Sequence, residues 1–171
     1  MRTVQSLVFI ALTGLLLPGN AEAQRLKPSS KIVAQPDAPI TIKAYNGFYR
    51  ERTQYNSEGI LHEVQYENKG AGQVVAVQFG FVSFDVWNEF LDRLNGLTTE
   101  PLLAGKTETG RWSSTSYRGF SFLTGVAFVS KVRFADGTIW RADEEVILRE
   151  LRQIEKDFDA SRLKAETPPK Q

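Results

Sequence analysis

The sequence QVVAVQFGFV, residues 73–82, alternates between two kinds of side chain. The bulky set consists of Val75, Val77, Phe79 and Phe81, and the smaller set of Val74, Ala76, Gln78 and Gly80. Alternation with a period of two is typical of a β-strand, because successive side chains point to opposite faces of the sheet. A bulky face backed by a smaller one predicts a central strand with other elements packed over both of its sides.

Segments of the same kind lie on either side of this strand. ITIKAY (residues 40–45) and ILHEVQYEN (60–68) alternate before it, and KVRFADGTIW (131–140) alternates after it around Asp136-Gly137. Asp-Gly is typical of a tight two-residue hairpin turn of type I′. We therefore predict a mainly β fold, an antiparallel β-sandwich over residues 39–142.

Two segments change to helical spacing. In FDVWNEFLDRLNGL (84–97), Asp85 is a candidate N-cap, and the apolar positions that follow predict a short helical insert ending at Asn95-Gly96. These positions are Trp87, Phe90, Leu91 and Leu94. In residues 143–166, one apolar stripe predicts a C-terminal α-helix packed on the sandwich, with its first turn at Asp143, Glu144 and Glu145. The stripe consists of Ile147, Leu151, Ile154 and Phe158. It matches a coiled-coil seam for only two heptads, so a monomer is favoured over a zipped dimer.

Several of these segments carry a resemblance to a known family. VQYENKGAGQVVAVQFGFVSFD, LLAGKTETGRW and KVRFADGTIW resemble small secreted immunoglobulin-like β-sandwiches of the FxLYD type and their bacterial envelope relatives. The resemblance covers residues 60–140 in patches, through Asn68, the Phe84-Asp85 pair and the turn at Leu103-Ala104-Gly105. It implies an immunoglobulin-like fold and an extracytoplasmic compartment, and it implies no reaction.

The chain begins with features of a targeting segment. A single arginine precedes the apolar run Leu7–Leu17, and Ala21-Glu22-Ala23 fits the small-x-small rule for cleavage. The run is about half the ~20 residues that cross a bilayer, so no membrane anchor is expected. We predict a signal peptide (1–23), an extended linker (24–38) and a disordered tail (167–171). We also predict that the protein is periplasmic or secreted, with a bacterial envelope favoured.

Composition excludes several classes of function. The sequence contains no cysteine, which removes disulfides, thiolate metal sites and cysteine nucleophiles. Its 21 lysines and arginines nearly balance 20 aspartates and glutamates, without the basic excess expected of a nucleic-acid binder. We therefore predict no nucleic-acid partner and no cofactor.

No catalytic constellation emerges from the remaining residues. HEVQY (62–66) lacks the second histidine of a zinc protease motif, and His62 is the only histidine in the chain. Two carboxylates can hydrolyse a glycoside without histidine, but each candidate acid already has a capping, turn or helix-dipole role. These candidates are Asp85, Glu89, Asp136, Asp143 and Glu144.

Two segments are candidates for binding. AYNGFYRERTQY (44–55) combines aromatic residues with arginine, a composition enriched in protein interfaces, and offers Tyr45, Phe48, Tyr49, Arg50 and Arg52 as protein-binding residues. Trp112, in the otherwise polar RWSSTSY, is a candidate ligand-binding residue able to stack on a sugar. We expect a non-enzymatic binding or accessory domain whose partner is another envelope or secreted protein. The alternative is a carbohydrate-binding module or a carboxylate-dependent carbohydrate hydrolase.

Cleavage after Ala23 is directly testable. Because the apolar run is too short to remain as an anchor, the exported protein should begin at Gln24 and should be released without detergent. Amino-terminal sequencing of the exported chain checks this expectation. Material that starts at Met1, or that stays with the membrane, would contradict it.

Overall fold

The fold is taken from a computed structural model that describes residues 26–116 and 118–164. The predicted signal peptide (1–23) and tail (167–171) lie outside the described residues. The described chain is mainly β, as predicted, and none of its helices is long and apolar enough to cross a membrane. Its strands are β1 (Ser29–Ile32), β2 (Ile40–Arg50), β3 (Gly59–Asn68), β4 (Val74–Asp85), β5 (Phe90–Thr98), β6 (Thr107–Ser114), β7 (Phe122–Phe134) and β8 (Ile139–Arg141). Its helices are α1 (Glu144–Leu151) and two 3₁₀ helices, Gly119–Ser121 and Ala160–Leu163.

The strands form two sheets that pack face to face. The large sheet has the order β1-β7-β4-β5, with β8 also paired to β7, and the small sheet has the order β2-β3-β6. All pairs are antiparallel except β1 with β7. β4 lies between β7 and β5, so it is a central strand as its side-chain pattern predicts.

Both faces of β4 are covered by apolar side chains. Val77, Phe79 and Phe81 point into the inner core, between the two sheets. Val82 and Phe84 point into an outer core, formed between the large sheet and the C-terminal segment. That segment contributes Ile147, Leu148, Leu151, Phe158 and Leu163 to the outer core. The protein therefore has three layers, with the large sheet in the middle.

The predicted helical insert after Asp85 is wrong, because residues 90–98 form strand β5. This strand pairs with β4 along its whole length, and places Leu94 against the inner core. The apolar residues fit a helical spacing, but an isolated short helix is marginal, whereas pairing with β4 satisfies the backbone of both strands. Trp87, predicted to lie on the apolar face of this helix, is instead exposed in the turn between β4 and β5.

The predicted C-terminal helix over 143–166 is also too long. Asp143, predicted to lie in the first turn, is instead the N-cap of α1 and accepts a hydrogen bond from the Glu145 amide at 2.9 Å, and the helix ends at Leu151. Beyond it the chain bends, so that the Phe158 ring packs 5.9 Å from the Phe84 ring and 5.8 Å from the Phe90 ring, between centroids. Burial of this ring outweighs continued helix formation, because tertiary packing contributes most of the stability of helices in proteins.

Within the described part (26–38) of the segment predicted to be an extended linker, residues 29–32 form β1 and join the large sheet. The Gln35 side chain extends this attachment, because its amide nitrogen donates to the Val129 carbonyl at 2.9 Å and its oxygen accepts from the Val129 amide at 2.8 Å. Val33 is buried in the outer core. The prolines in this segment led to the prediction of a linker, and one short strand was therefore missed.

The hairpin predicted at Asp136-Gly137 is present between β7 and β8, but its turn type differs. Only Gly137 has a positive φ, of 89°, whereas a type I′ turn requires positive values at both central residues. The Phe134 amide donates to the Thr138 carbonyl at 2.9 Å, which closes a loop of three residues. A glycine in the left-handed region is typical of such loops.

The inner core contains one buried polar pair, Tyr45 and His62. The Tyr45 hydroxyl lies 2.8 Å from His62 Nδ1, and the imidazole stacks on the Phe81 ring with centroids 4.5 Å apart. Burial lowers the pKa of His62 to about 4 and raises the pKa of Tyr45. Both side chains are therefore neutral at physiological pH, and the hydrogen bond satisfies a polar group that would otherwise be costly to bury.

His62 predicts a pH dependence of stability. Its folded-state pKa lies below its unfolded value of about 6.5, so the unfolded chain binds more protons below that pH and the native state loses stability. We expect the free energy of unfolding to fall by about 2 kcal/mol between pH 7 and pH 5 because of this group. Urea unfolding of the protein and of His62→Gln across this range measures the effect.

The variant His62→Gln separates the contribution of His62 to the pH dependence of stability from that of the carboxylates. Glutamine can accept a hydrogen bond from Tyr45 but does not titrate, so His62→Gln should show a much flatter pH profile in this range. Equal slopes for the two proteins would contradict the assignment.

Candidate binding surface

The five protein-binding residues predicted from the sequence occupy different environments. Tyr45 is in the inner core, hydrogen bonded to His62, so its side chain is unavailable to a partner in the folded state. Phe48, Tyr49 and Arg50 are half-buried at the end of β2, and Arg52 is exposed in the loop that follows. Of the five predicted residues, only Phe48, Tyr49, Arg50 and Arg52 have side chains that reach the surface.

Trp112, predicted to bind a ligand, packs against the core. It is half-buried on β6, and its ring centroid lies 5.3 Å from that of Phe79 and 5.6 Å from that of Phe81. The ring covers Gly96 of β5, where a Cβ would come within 2.6 Å of it, and its indole nitrogen donates to the Leu97 carbonyl at 3.3 Å. Trp112 closes the inner core between β5 and β6, which does not fit a stacking platform for a sugar.

Two aromatic residues that the sequence did not single out as binding residues are the most prominent at one end of the sandwich. Trp87 lies in the turn between β4 and β5 and is 79% exposed, and Phe120 lies in the first 3₁₀ helix and is 74% exposed. The two loops touch, because the Val86 amide donates to the Ser121 carbonyl at 3.0 Å. Large rings held in water at neighbouring positions are a feature of binding surfaces.

Asp85 holds these two loops in place. Its side chain is 1% exposed, and one oxygen accepts from the backbone amides of Trp87 and Glu89 at 2.9 and 3.1 Å. The other oxygen accepts from Arg118 Nη2 at 2.9 Å, which joins the turn to the 3₁₀ helix. The sequence correctly predicted that Asp85 accepts backbone amides, but the acceptor serves a turn and not a helix.

The loop between β2 and β3 reaches the same end of the molecule. Tyr49 packs against the backbone at Gly119, where an added Cβ would lie 3.0 Å from the ring, and its hydroxyl lies 3.5 Å from the Glu58 carboxylate. The loop presents Tyr55, which is 84% exposed, and Arg52. We call this surface the aromatic end, and it consists of Tyr49, Arg52, Tyr55, Trp87, Arg118 and Phe120.

The candidate catalytic acids are not gathered at one place in the fold, and three of them already accept hydrogen bonds from the backbone. Asp85, Asp136 and Asp143 each accept a hydrogen bond from the backbone amide two residues further along the chain, in three different parts of the fold. Glu89 follows the Asp85 turn, and Glu144 begins α1. Across residues 26–116 and 118–164, no three histidine, aspartate or glutamate side chains are grouped so as to hold a metal ion.

Comparison with known proteins yields only distant structural similarity. No family model matches the sequence, and no curated protein matches it. The structure is similar to that of a hypothetical protein from Peptoclostridium difficile 630, with 9% identity over 70% of this chain and 93% of the other, and a TM-score of 0.49. It is also similar to a Northeast Structural Genomics Consortium target, with 13% identity over 61% and 80% of the two chains and a TM-score of 0.42. At these TM-scores neither likeness carries an argument about this chain.

Proposed function

We propose that this protein is an exported, non-enzymatic domain that binds another envelope or secreted protein through the aromatic end. The observation that carries the proposal is the pair Trp87 and Phe120, which are mostly exposed and stand on loops joined through Asp85. Tryptophan, tyrosine and arginine are the residues that contribute most to binding energy at protein interfaces. The aromatic end combines all three.

The way the loops are held also favours binding. Asp85 uses three hydrogen bonds to define the turn and its neighbour, so Trp87 and Phe120 are presented on an ordered backbone. A surface that is ordered before contact loses less conformational entropy on association. Sugar stacking on Trp112 and hydrolysis by the candidate acids have less support, because Trp112 is engaged in the core and Asp85, Asp136 and Asp143 accept backbone amides at turns and at a helix start.

We further propose that the fold is a variant of the immunoglobulin-like sandwich. The strand orders β2-β3-β6 and β8-β7-β4-β5 correspond to strands A-B-E and G-F-C-C′ of such domains, and β1 is added beside β7. Loops at the ends of these sandwiches are frequent sites of recognition. The aromatic end occupies one such end.

The two exposed rings provide the sharpest test of this proposal. Replacing both in the variant Trp87→Ser/Phe120→Ser should leave stability within about 0.5 kcal/mol, because both side chains are surface residues. Capture of a partner by cross-linking and pull-down from the native envelope should fall at least about tenfold. The control is Leu97→Ser/Leu103→Ser, which removes two leucines that are 60% and 56% exposed outside the aromatic end.

The aromatic and leucine double variants distinguish specific recognition from nonspecific hydrophobic association. If the leucine variant loses capture as strongly as the aromatic variant, the capture reflects exposed apolar surface and the proposal fails. A partner captured equally by the wild type and the aromatic variant would place recognition elsewhere.

A second prediction concerns Asp85 as a positioning residue. Asp85→Ala leaves two backbone amides and Arg118 without their acceptor, so we expect a loss of about 1–3 kcal/mol in unfolding free energy together with weaker capture at temperatures where the variant is still folded. Asp136→Ala is the control, since it removes another turn-capping aspartate far along the chain at the β7–β8 hairpin. Normal capture by folded Asp85→Ala would show that the order of these loops does not matter for binding.

A further inference from the structure

A polar groove lies on the outer face of the large sheet, beyond the apolar side chains that α1 covers. Its volume is about 430 Å³, which is within the range of small-molecule sites. Gln78, Asn95, Phe128 and Ser130 from three adjacent strands line it, and Leu163 and Lys164 of the C-terminal segment border it. The groove is on a face of the sheet, whereas the aromatic end is formed by loops.

Two irregularities of the sheet shape this groove. Gly80 leaves space for the Phe128 ring, which lies where a Cβ of residue 80 would be, at 2.3 Å. In β7 the pairing skips Ser130, because Val129 is opposite Phe79 and Lys131 is opposite Gln78. This β-bulge places Ser130 and Lys131 together at the groove, between the inner-core residues Val129 and Val132.

The groove is rich in positive charge. Four cations line it against one carboxylate, that of Glu144, and none of the four has a carboxylate oxygen within 4.0 Å in the part of the chain that the structure describes. The cations are Arg93, Lys131, Arg141 and Lys164. Unpaired cations around a concave surface attract an anion, since a cleft concentrates their field.

Arg93 is the most deeply placed of these cations. Its Nε and Nη1 donate to the backbone carbonyls of Leu163 and Leu94 at 3.1 and 2.7 Å, and its guanidinium lies 5.3 Å from the centre of the Phe128 ring. Burial lowers its pKa to about 10, partly opposed by the nearby Asp92. A guanidinium at this depth without a bound counter-ion is costly, and an anion beside it would offset that cost.

Two polar atoms at the groove lack partners. Asn95 Oδ1 and Ser130 Oγ are buried and form no hydrogen bond within the described chain. Buried polar atoms in native proteins nearly always find a partner, in the protein, in water or in a ligand. Because an amide oxygen can only accept, Asn95 requires a donor such as a hydroxyl group.

We propose that this groove binds a small hydroxylated organic anion of the sugar-acid class. The carboxylate lies among the cations at the groove, and hydroxyl groups of the ligand donate to Asn95 Oδ1 and bond to Ser130 Oγ. This site is independent of the proposed protein-binding function, and either can fail without the other.

Calorimetric titration of the mature chain, expected to begin at Gln24, at 0.15 M salt tests the site. The probes are D-glucuronate and D-galacturonate, with D-glucose and D-galactose as neutral counterparts and acetate as an anion without hydroxyls. We expect saturable binding of at least one sugar acid, with its neutral counterpart and acetate each weaker by about tenfold or more, since each loses one class of contact. No saturable binding of either sugar acid, or equal binding of a neutral sugar or acetate, would overturn the proposal.

Variants then locate the binding. Lys131→Ala/Arg141→Ala changes two exposed residues and should weaken sugar-acid binding by about a hundredfold while leaving the melting temperature nearly unchanged. Ser130→Ala should weaken it severalfold. Arg133→Ala is the matched control, because it removes an exposed cation of the same strand that does not line the groove. Unchanged binding in the double variant, or an equal loss in the control, would rule out this groove as the site.

Discussion

Strand β4 must be buried on both of its faces, and the rest of the structure follows from that requirement. Phe79 and Phe81 face one side and Phe84 faces the other, all fully buried. Leaving either set in water would forgo about 1.5–3 kcal/mol for each side chain, which is a large share of the stability of a small domain. A single sheet cannot provide this burial, so the chain supplies a second sheet for one face and its C-terminal segment for the other.

The two proposed sites lie where this coverage stops. The C-terminal segment packs its apolar residues over Phe84 and Phe128, but beyond Phe128 the outer face carries Gln78, Asn95 and Ser130. That polar part is left as a groove, bordered by the end of the same segment. At the other end of β4 the chain turns at Asp85, and the side chain that terminates the strand also organises the loops that carry Trp87 and Phe120.

Prediction from the sequence succeeded where one face of a strand was strongly apolar, and failed where two periods fitted the same residues. The alternation over residues 73–82 indicates a strand, and the central position of β4 could be predicted from it. The bulge between Val74 and Ala76, which brings Val74 and not Val75 into the inner core, could not. In residues 90–97, Phe90, Leu91 and Leu94 suit a helix face locally, and only pairing with β4 makes them a strand. Similarly, the sequence places Tyr45 beside other aromatic residues, but the burial of its ring follows from its cross-strand approach to His62. The groove was not predictable, because its lining residues are separated in the chain and the β-bulge at Ser130 has no signature in composition.

Asp85 shows how a weak stabilising contact can have a large structural effect. Arg118 is more than half exposed, so its ion pair with Asp85 contributes little to stability by charge alone. The contact matters more for the shape of the loops than for stability, because the Asp85 carboxylate also accepts hydrogen bonds from two backbone amides and is almost fully buried. Strand β4 therefore fixes the position of the Asp85 carboxylate, and this carboxylate in turn fixes Arg118 and the turn between β4 and β5. The order of these loops comes from this buried acceptor together with the hydrogen bond from the Val86 amide to the Ser121 carbonyl. Trp87 and Phe120 remain mostly exposed to water, with no packing role that would explain their presence there.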